Sequence, residues 1–297
     1  MINFNNLAEL IEAAAEKGLP IHELVIAREM HVSQRSRQDI LEEMKNSWSV
    51  MQESIQRGMK NREKSMSGLT GGDALLLQKY SRAQEGREPY LGRAAIQAAG
   101  AAVGVNEVNA VMGRIVACPT AGSCGIVPAA LYAAKERGAA DEALVLALFT
   151  AAGIGMVIDQ NASIAGAAGG CQAECGTAAG MAAGALVELA GGSPAQVGEA
   201  VALSLKNLLG LVCDPVAGLV EVPCVKRNGF AVVEAMLAAD MALAGIKSVI
   251  PVDEVIDAMD RIGRALPKSL RETSQGGLAV TATAKRIEQR LYSQEGN

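Results

Sequence analysis

Three cysteines of this chain lie in stretches whose composition is unusual for a helix. Cys213 and Cys224 lie eleven positions apart in LVCDPVAGLVEVPCVKRNG (211–229), where prolines and a glycine favour turns. Cys171 lies in GGCQAECG (169–176), which is rich in glycine. Thiols carried by such turn-rich backbone can converge on one bulky ligand, so these three cysteines are the first candidates for chemistry.

The spacing of the cysteines argues against zinc as that ligand. Structural zinc commonly takes four ligands from close C-x-x-C pairs, whereas the closest pair here is Cys171 and Cys175, and His22 and His31 are distant in sequence. An iron–sulfur cluster accepts thiolates at wide spacing. Three thiolates on a cubane cluster would leave one iron open, as a Lewis acid able to take a hydroxyl group. A dithiol–disulfide redox cycle is an alternative that the spacing leaves open.

Two glycine-rich segments each precede a predicted helix and could bind an anion. SGLTGG (67–72) leads into a helix at 74, and PTAGSCG (119–125) leads into a helix at 128. Unpaired N–H groups and the helix dipole favour negative charge there, so a small carboxylate is the predicted ligand. The alternative for these two segments is that they are ordinary interhelical loops. Lys226 and Arg227 after Cys224 could add positive charge, or could be solvated surface residues. The predicted binding residues are Ser67, Thr70, Gly71, Thr120, Gly122, Ser123, Gly125, Lys226, Arg227 and Asn228.

Helical patterns dominate the chain, so the predicted class is all-α, with one mostly helical domain over 1–297 and a possible charged subdomain at 1–60. Asn5 or Asn6 is predicted to cap the first helix, and Asp253 to cap its own helix. The glycines of GGCQAECG argue against a regular helix there, and Leu219-Val220-Glu221-Val222 is the one strand-like alternation. Helices are predicted at 5–17, 22–60, 74–85, 92–103, 105–114, 128–136, 143–158, 180–190, 194–210, 229–246 and 253–264, followed by a short tail helix.

Composition limits both the core and the partners. Half of the residues are hydrophobic but only 3% are aromatic, so closely packed helices with small side chains are expected, with Cys118 and Cys124 among the buried ones. The net charge of −5 argues against nucleic acid or an anionic membrane surface as a partner. The apolar stretch 143–158 is shorter than the about 20 residues of a membrane span, so a core helix is predicted. The first residues lack the basic segment of a signal peptide, so a cytoplasmic location is expected.

The motifs together resemble a known family. CDPVAGLVEVPCVKRN, with PTAGSCG, SGLTGGD and GCQAECG, is similar to the α chain of the iron–sulfur-dependent L-serine dehydratases, along nearly the whole chain. The resemblance implies a helical catalytic domain that holds a 4Fe–4S cluster on Cys171, Cys213 and Cys224. It also implies that L-serine is converted to pyruvate and ammonia. A cysteine desulfidase of the same family and a non-catalytic iron–sulfur sensor are the alternatives.

The resemblance also implies a second subunit. Some members of the family are fused chains with an additional domain before the catalytic one, whereas this chain is similar to the two-subunit form, so a separate β chain and a hetero-oligomer are expected. The site motifs contain no histidine, so the general base is expected from the β chain. Some fused members supply a terminal cysteine to the open iron, but no cysteine follows Cys224, which leaves water or a partner group for that iron. A lysine–pyridoxal mechanism through Lys206 or Lys226 is disfavoured, because no phosphate loop accompanies them.

Overall fold

The protein is described by a computed structural model that covers residues 4–82 and 88–293. These residues form thirteen α-helices and no β-strand, so the predicted all-α class is confirmed. The helices are α1 (Leu7–Lys17), α2 (Ile21–Ser33), α3 (Arg37–Gly58), α4 (Asp73–Ser81), α5 (Gly92–Ala110), α6 (Ile126–Glu136), α7 (Asp141–Asn161), α8 (Gly166–Gly169), α9 (Thr177–Leu189), α10 (Pro194–Asn207), α11 (Cys224–Leu243), α12 (Val252–Ala265) and α13 (Ala282–Tyr292).

Small residues let the helices of the core approach closely. A Cβ on Gly58 of α3 would lie 2.2 Å from the carbonyl oxygen of Gly104 in α5, so only glycine fits at this crossing. A Cβ on Gly184 of α9 would lie 2.3 Å from the side chain of Ile154 in α7. These contacts explain why a chain with so few aromatic side chains still fills its interior.

Helix α7 is the one described helix long and apolar enough to cross a membrane by length and composition. It packs against α2 and α9, and most of its apolar side chains are buried in the main hydrophobic core. The sequence interpretation of 143–158 as a core helix agrees with this packing.

Several predicted helix bounds were wrong. The helix predicted at 22–60 is two helices, because the chain turns at Gln34 (φ 57°) and Ser36 then caps α3 by accepting a hydrogen bond from the N–H of Asp39. The helices predicted at 92–103 and 105–114 are the single helix α5, since Gly104 packs inside it. Helix α6 begins at Ile126, two residues before the prediction. Residues 83–85 of the predicted helix at 74–85 lie outside the described residues.

The two predicted caps had different outcomes. Asn6 caps α1 by accepting a hydrogen bond from the N–H of Glu9, as predicted. Asp253 does not cap its own helix, which follows Pro251. Its carboxylate instead accepts hydrogen bonds from the N–H groups of Leu7 (2.8 Å) and Ala8 (2.9 Å), at the start of α1. The carboxylate therefore joins the first helix to the twelfth, a long-range pairing that no local pattern shows.

Two of the three candidate cysteines lie at or just before the first residue of a helix. Cys171 precedes a π-helical turn (Gln172–Gly176) that runs directly into α9. Cys224 is the first residue of α11. The strand-like residues 219–222 form turns and not a strand. Cys171 is thus fixed one π-helical turn before α9, and Cys224 is fixed at the first residue of α11.

Candidate functional site

The structure brings the three predicted metal-binding thiols together. Cys171, Cys213 and Cys224 are all buried, and none of them belongs to the main hydrophobic core. The Sγ atoms of Cys171 and Cys213 lie within 4.8 Å of each other. Burial and the nearby charge of Cys171 raise the pKa of the Cys224 thiol to about 12. Cys171 and Cys213 therefore share one site, although they are distant in sequence, and Cys224 lies near enough for the charge of Cys171 to act on its thiol.

Arg227 supplies the positive charge of this site. Its Nη1 donates to the Sγ of Cys171 at 3.2 Å and to the carbonyl oxygen of Val212 at 2.8 Å. Its Nη2 donates to Oδ1 of Asp214 at 3.0 Å, and Oδ2 of Asp214 accepts from the N–H of Leu278 at 2.8 Å. Only 16% of the Arg227 side chain is exposed, so the interpretation of this residue as solvated surface was wrong.

Cys175 is a fourth thiol at the site. The prediction that no regular helix forms around it was wrong, because Gln172–Gly176 is a π-helical turn. In such a wide turn, residues four positions apart lie on one face. Hydrogen bonds from Cys175 and Cys213, with the charge of Arg227, lower the pKa of the Cys171 thiol well below its usual value. The pKa is therefore lowered at Cys171 and raised at Cys175 and Cys213, where burial and the charge of Cys171 oppose ionisation.

Glu174 is a site residue that the sequence analysis missed. Its Oε1 accepts a hydrogen bond from Oγ1 of Thr120 at 2.8 Å. A carboxylate oxygen of Glu174 and the sulfur atoms of Cys171 and Cys213 all lie within 4.8 Å of one another, so these three side chains could hold a metal ion. Burial, and then the charge of Cys171, raise the pKa of Glu174 to about 7. A signal was present, since Glu174 is the only charged residue between Asp159 and Glu188.

The PTAGSCG loop lies against the cysteine site. Its 3-10 turn (Ala121–Ser123) places Thr120 on Glu174, and a Cβ on Gly122 would lie 3.2 Å from the same carboxylate. Ser123 is buried and bonds back to Thr120 at 3.1 Å, which fixes the loop. Thr120 and Gly122 are therefore the predicted loop residues that lie against Glu174.

Asn228 ties this loop to α11. Its Oδ1 accepts from the N–H of Gly125 at 3.0 Å, and its Nδ2 donates to the carbonyl oxygen of Gly122 at 2.8 Å. A Cβ on Gly125 would lie 2.1 Å from the carbonyl oxygen of Ala102, so this position requires glycine. The N–H of Gly125 is thus bonded to Asn228, and Asn228 has a positioning role.

The SGLTGG loop contacts the second cysteine stretch through side chains. Oε2 of Glu221 accepts from Oγ of Ser67 at 2.8 Å and from Oγ of Ser65 at 2.5 Å. Thr70 is buried, and its Oγ1 has no hydrogen-bond partner among the described residues. A Cβ on Gly71 would lie 2.0 Å from the carbonyl oxygen of Glu63, so only glycine fits. The loop therefore borders the candidate site, with Glu221 as a contact that sequence reasoning missed.

The N-terminus of α4, where the sequence predicted an anion site, already has a carboxylate of the protein. Oε1 of Glu107 accepts from the N–H of Asp73 at 2.7 Å, and burial raises the pKa of Glu107. Nζ of Lys226 lies 2.6 Å from Oδ2 of Asp73, in a half-exposed ion pair. Substrate binding by this loop stays a prediction that depends on its hydroxyl groups and not on the helix end.

Comparison with known proteins places the chain in a family. The family model for the serine dehydratase alpha chain matches residues 16–279. The chain belongs to this family. L-serine dehydratases are lyases, so the helical domain described above is the framework of a lyase subunit.

Relatives in the serine dehydratase family differ in length. The chain is 53% identical over 290 residues to a probable L-serine dehydratase alpha chain of Bacillus subtilis, which covers 97% of this chain and 95% of the relative. It is 41% identical over 294 residues to the L-serine dehydratase alpha chain of Peptoniphilus asaccharolyticus, which covers 99% of each. It is also 41% identical over 280 residues to an L-serine dehydratase of Streptomyces coelicolor, which covers 92% of this chain but 60% of the relative.

Proposed function

We propose that this serine dehydratase family member is the catalytic α subunit of an L-serine ammonia-lyase that uses a 4Fe–4S cluster. The observation that carries the proposal is the convergence of Cys171, Cys213 and Cys224 beside the guanidinium group of Arg227. All six cysteines of the chain are free thiols, which suits a reducing cytoplasm as the place of action.

The side chains present fit a cluster held by three thiolates. Soft thiolate is the ligand that iron–sulfur clusters select, and Cys171, Cys213 and Cys224 would hold the cluster. Arg227 would compensate the negative charge of the thiolates. Its hydrogen bond to Oδ1 of Asp214 holds the guanidinium group in place. When bound, the cluster would supply a Lewis acid that stabilises the departing β-hydroxyl group of L-serine.

The residues of the chain would bind and orient the substrate around that centre. The Thr120 hydroxyl group lies on a loop fixed by Ser123, and it could bind the carboxylate of L-serine by exchanging its hydrogen bond to Glu174 for one to the substrate. Hydrogen bonds and positive charge there stabilise the charge that develops when the Cα proton leaves. Elimination of water then gives aminoacrylate, which tautomerises to an imine and hydrolyses to pyruvate and ammonia.

A separate β chain would complete the site. Within the described residues, both histidines lie on α2, outside the cysteine site, so a histidine base would come from a partner. The outer face of α11 offers a surface for that partner, because Phe230 is 78% exposed and Leu237 is 59% exposed. Phe230 lies six residues after Cys224, so a chain bound there would lie close to the thiols. This chain spans about 60% of the longer relatives. The remaining part of those relatives would then correspond to the β chain.

Pyruvate formation under anaerobic conditions tests the proposal. The purified chain is loaded with iron and sulfide, mixed with L-serine, and assayed with and without the β chain of the same organism. The proposal predicts little pyruvate from the α chain alone and full turnover with the β chain. Sulfide release from L-cysteine in preference to pyruvate formation from L-serine would favour a cysteine desulfidase. A cluster with reversible redox chemistry and no turnover of either amino acid would favour a sensor.

A further inference from the structure

The carboxylate of Glu174 lies beside the candidate thiols and has one hydrogen-bond donor among the described residues. It lies on the π-helical turn between Cys171 and α9, and its side chain is partly buried. Single π-helical turns inside α-helices are frequent at functional sites, because they redirect side chains. Here the turn directs a carboxylate toward the thiols of Cys171 and Cys213.

Glu174 has spare capacity as a ligand. A carboxylate can accept about four hydrogen bonds, yet among the described residues only Thr120 donates one to it. Among the same residues no lysine or arginine forms an ion pair with Glu174, since Arg227 is bonded to Cys171 and Asp214. A buried carboxylate without a cation is costly. A metal ion at this point would remove that cost.

Two glycines keep the space beside this carboxylate open. A Cβ on Gly166 would lie 2.9 Å from Oε2 of Glu174 and 3.2 Å from Sγ of Cys213. A Cβ on Gly122 would lie 3.2 Å from the same oxygen. A side chain at either position would therefore contact the carboxylate. Because both residues are glycine, the carboxylate of Glu174 stays accessible from the side of the thiols.

We propose that Glu174 is the protein ligand of the iron that Cys171, Cys213 and Cys224 leave without a thiolate. The inference rests on the proposed function, because it needs a cluster with three cysteine ligands. The carboxylate oxygen lies within 4.8 Å of two of the three sulfur atoms, on the same side of the site as the substrate loop. A hard oxygen binds this iron more weakly than a thiolate does. L-serine could therefore displace it through its hydroxyl group, a ligand exchange without electron transfer.

Spectroscopy of the cluster tests this inference without an activity assay. The full chain and its Glu174→Gln variant are loaded anaerobically with iron-57 and sulfide. Glu174→Gln should keep a cluster on three cysteines, change the Mössbauer signal of the unique iron, and lose that iron to ferricyanide about tenfold faster. The 3Fe–4S signal in electron paramagnetic resonance measures that loss. Glu174→Cys should act in the opposite direction, because a fourth thiolate would hold the iron more tightly.

Glu234→Gln is the matched control. Glu234 is also a buried carboxyl group with one hydroxyl donor, Oγ of Ser204 at 2.9 Å, and burial raises its pKa to about 7 as well. It lies on α11 away from the thiols, so its variant should retain the iron as the unaltered chain does. If the unaltered chain binds no cluster, the proposed function fails and the inference with it. If that chain holds the cluster and Glu174→Gln gives the same Mössbauer signal and the same rate of iron loss, only the inference is overturned.

Discussion

Two groups of cysteines in this protein are similarly buried but differ in their polar neighbours. Cys118, directly before the PTAGSCG loop, and Cys124, within it, are 8% and 0% exposed and belong to the main hydrophobic core, as predicted. Cys171, Cys213 and Cys224 are 1%, 2% and 5% exposed and lie outside that core. Burial therefore does not separate the two groups, whereas their polar neighbours do.

The neighbours decide whether a thiol can become a ligand. Burial alone raises the pKa of Cys118 to about 12, and it is the main cause of the same rise at Cys124. At Cys171, donated hydrogen bonds and the guanidinium group of Arg227 overcome burial and lower the pKa. The thiolate is the metal ligand, and Arg227 lowers the pKa of both Cys171 and Cys224. Burial still keeps the pKa of Cys224 at about 12, so the guanidinium group, and not the pKa of every thiol, distinguishes this group from the apolar core.

Removal of the positive charge should have the largest effect on stability. Arg227→Met leaves Asp214 and the Cys171 thiolate without their buried cation, which costs about 3 kcal/mol, the low end for a broken buried pair, since Cys171 can take up a proton. Urea unfolding of the cluster-free chain measures this loss. Lys226→Met is the control, because its half-exposed pair with Asp73 contributes at most about 1 kcal/mol. Equal losses for both variants would contradict the assigned role of Arg227.

Glu234 tests what burial does without a charged neighbour. Its folded-state pKa of about 7 lies above the ordinary value of 4.5, so the folded state binds the proton more tightly than the unfolded state. Stability should therefore fall as the pH rises from about 4.5 through about 7, by up to about 3 kcal/mol. The free energy of unfolding against pH should show this fall, and Glu234→Gln should remove it. A parallel pH profile for the variant would show that the carboxyl group is not desolvated.

The smallest effects are expected at the cysteines of the apolar core. Cys118→Ala and Cys124→Ala each remove one sulfur atom from a packed environment, which costs about 1 kcal/mol. Thermal unfolding measures this cost, and the iron content after loading should not change. Cys124→Ala could still lower turnover, because Cys124 lies in the loop predicted to bind the substrate. Iron loss in either variant would remove the distinction between the two groups.

The sequence predicted the parts of the site that depend on local pattern. The turn-rich cysteine stretches and the glycine loops were recognisable, because proline and cysteine are rare in this chain and glycines cluster in these loops. Gly104 was taken as a possible break between helices, but its role is the contact with Gly58, which only the packed structure shows. The end of α2 at Gln34 was missed, since neither glycine nor proline marks it.

Long-range polar contacts were beyond local pattern. Local pattern does not identify Glu174 and Glu221 as site residues, because their partners Thr120 and Ser67 are distant in sequence. Asp253 was assigned to its own helix because a cap is a local feature, whereas its partners are more than 240 positions away. A charged residue inside a long uncharged segment is the signal that would have found Glu174.

The most direct test of the account is the iron and sulfide content per chain of all six single cysteine variants after anaerobic loading. Serine is a hard, weakly acidic ligand in place of soft thiolate, so Cys171→Ser, Cys213→Ser and Cys224→Ser should each lose the cluster. Cys118→Ala, Cys124→Ala and Cys175→Ala should keep about four iron atoms per chain, as a cubane 4Fe–4S cluster requires. A Cys175→Ala variant that loses its iron, beside a Cys171→Ser variant that retains it, would contradict the ligand assignment.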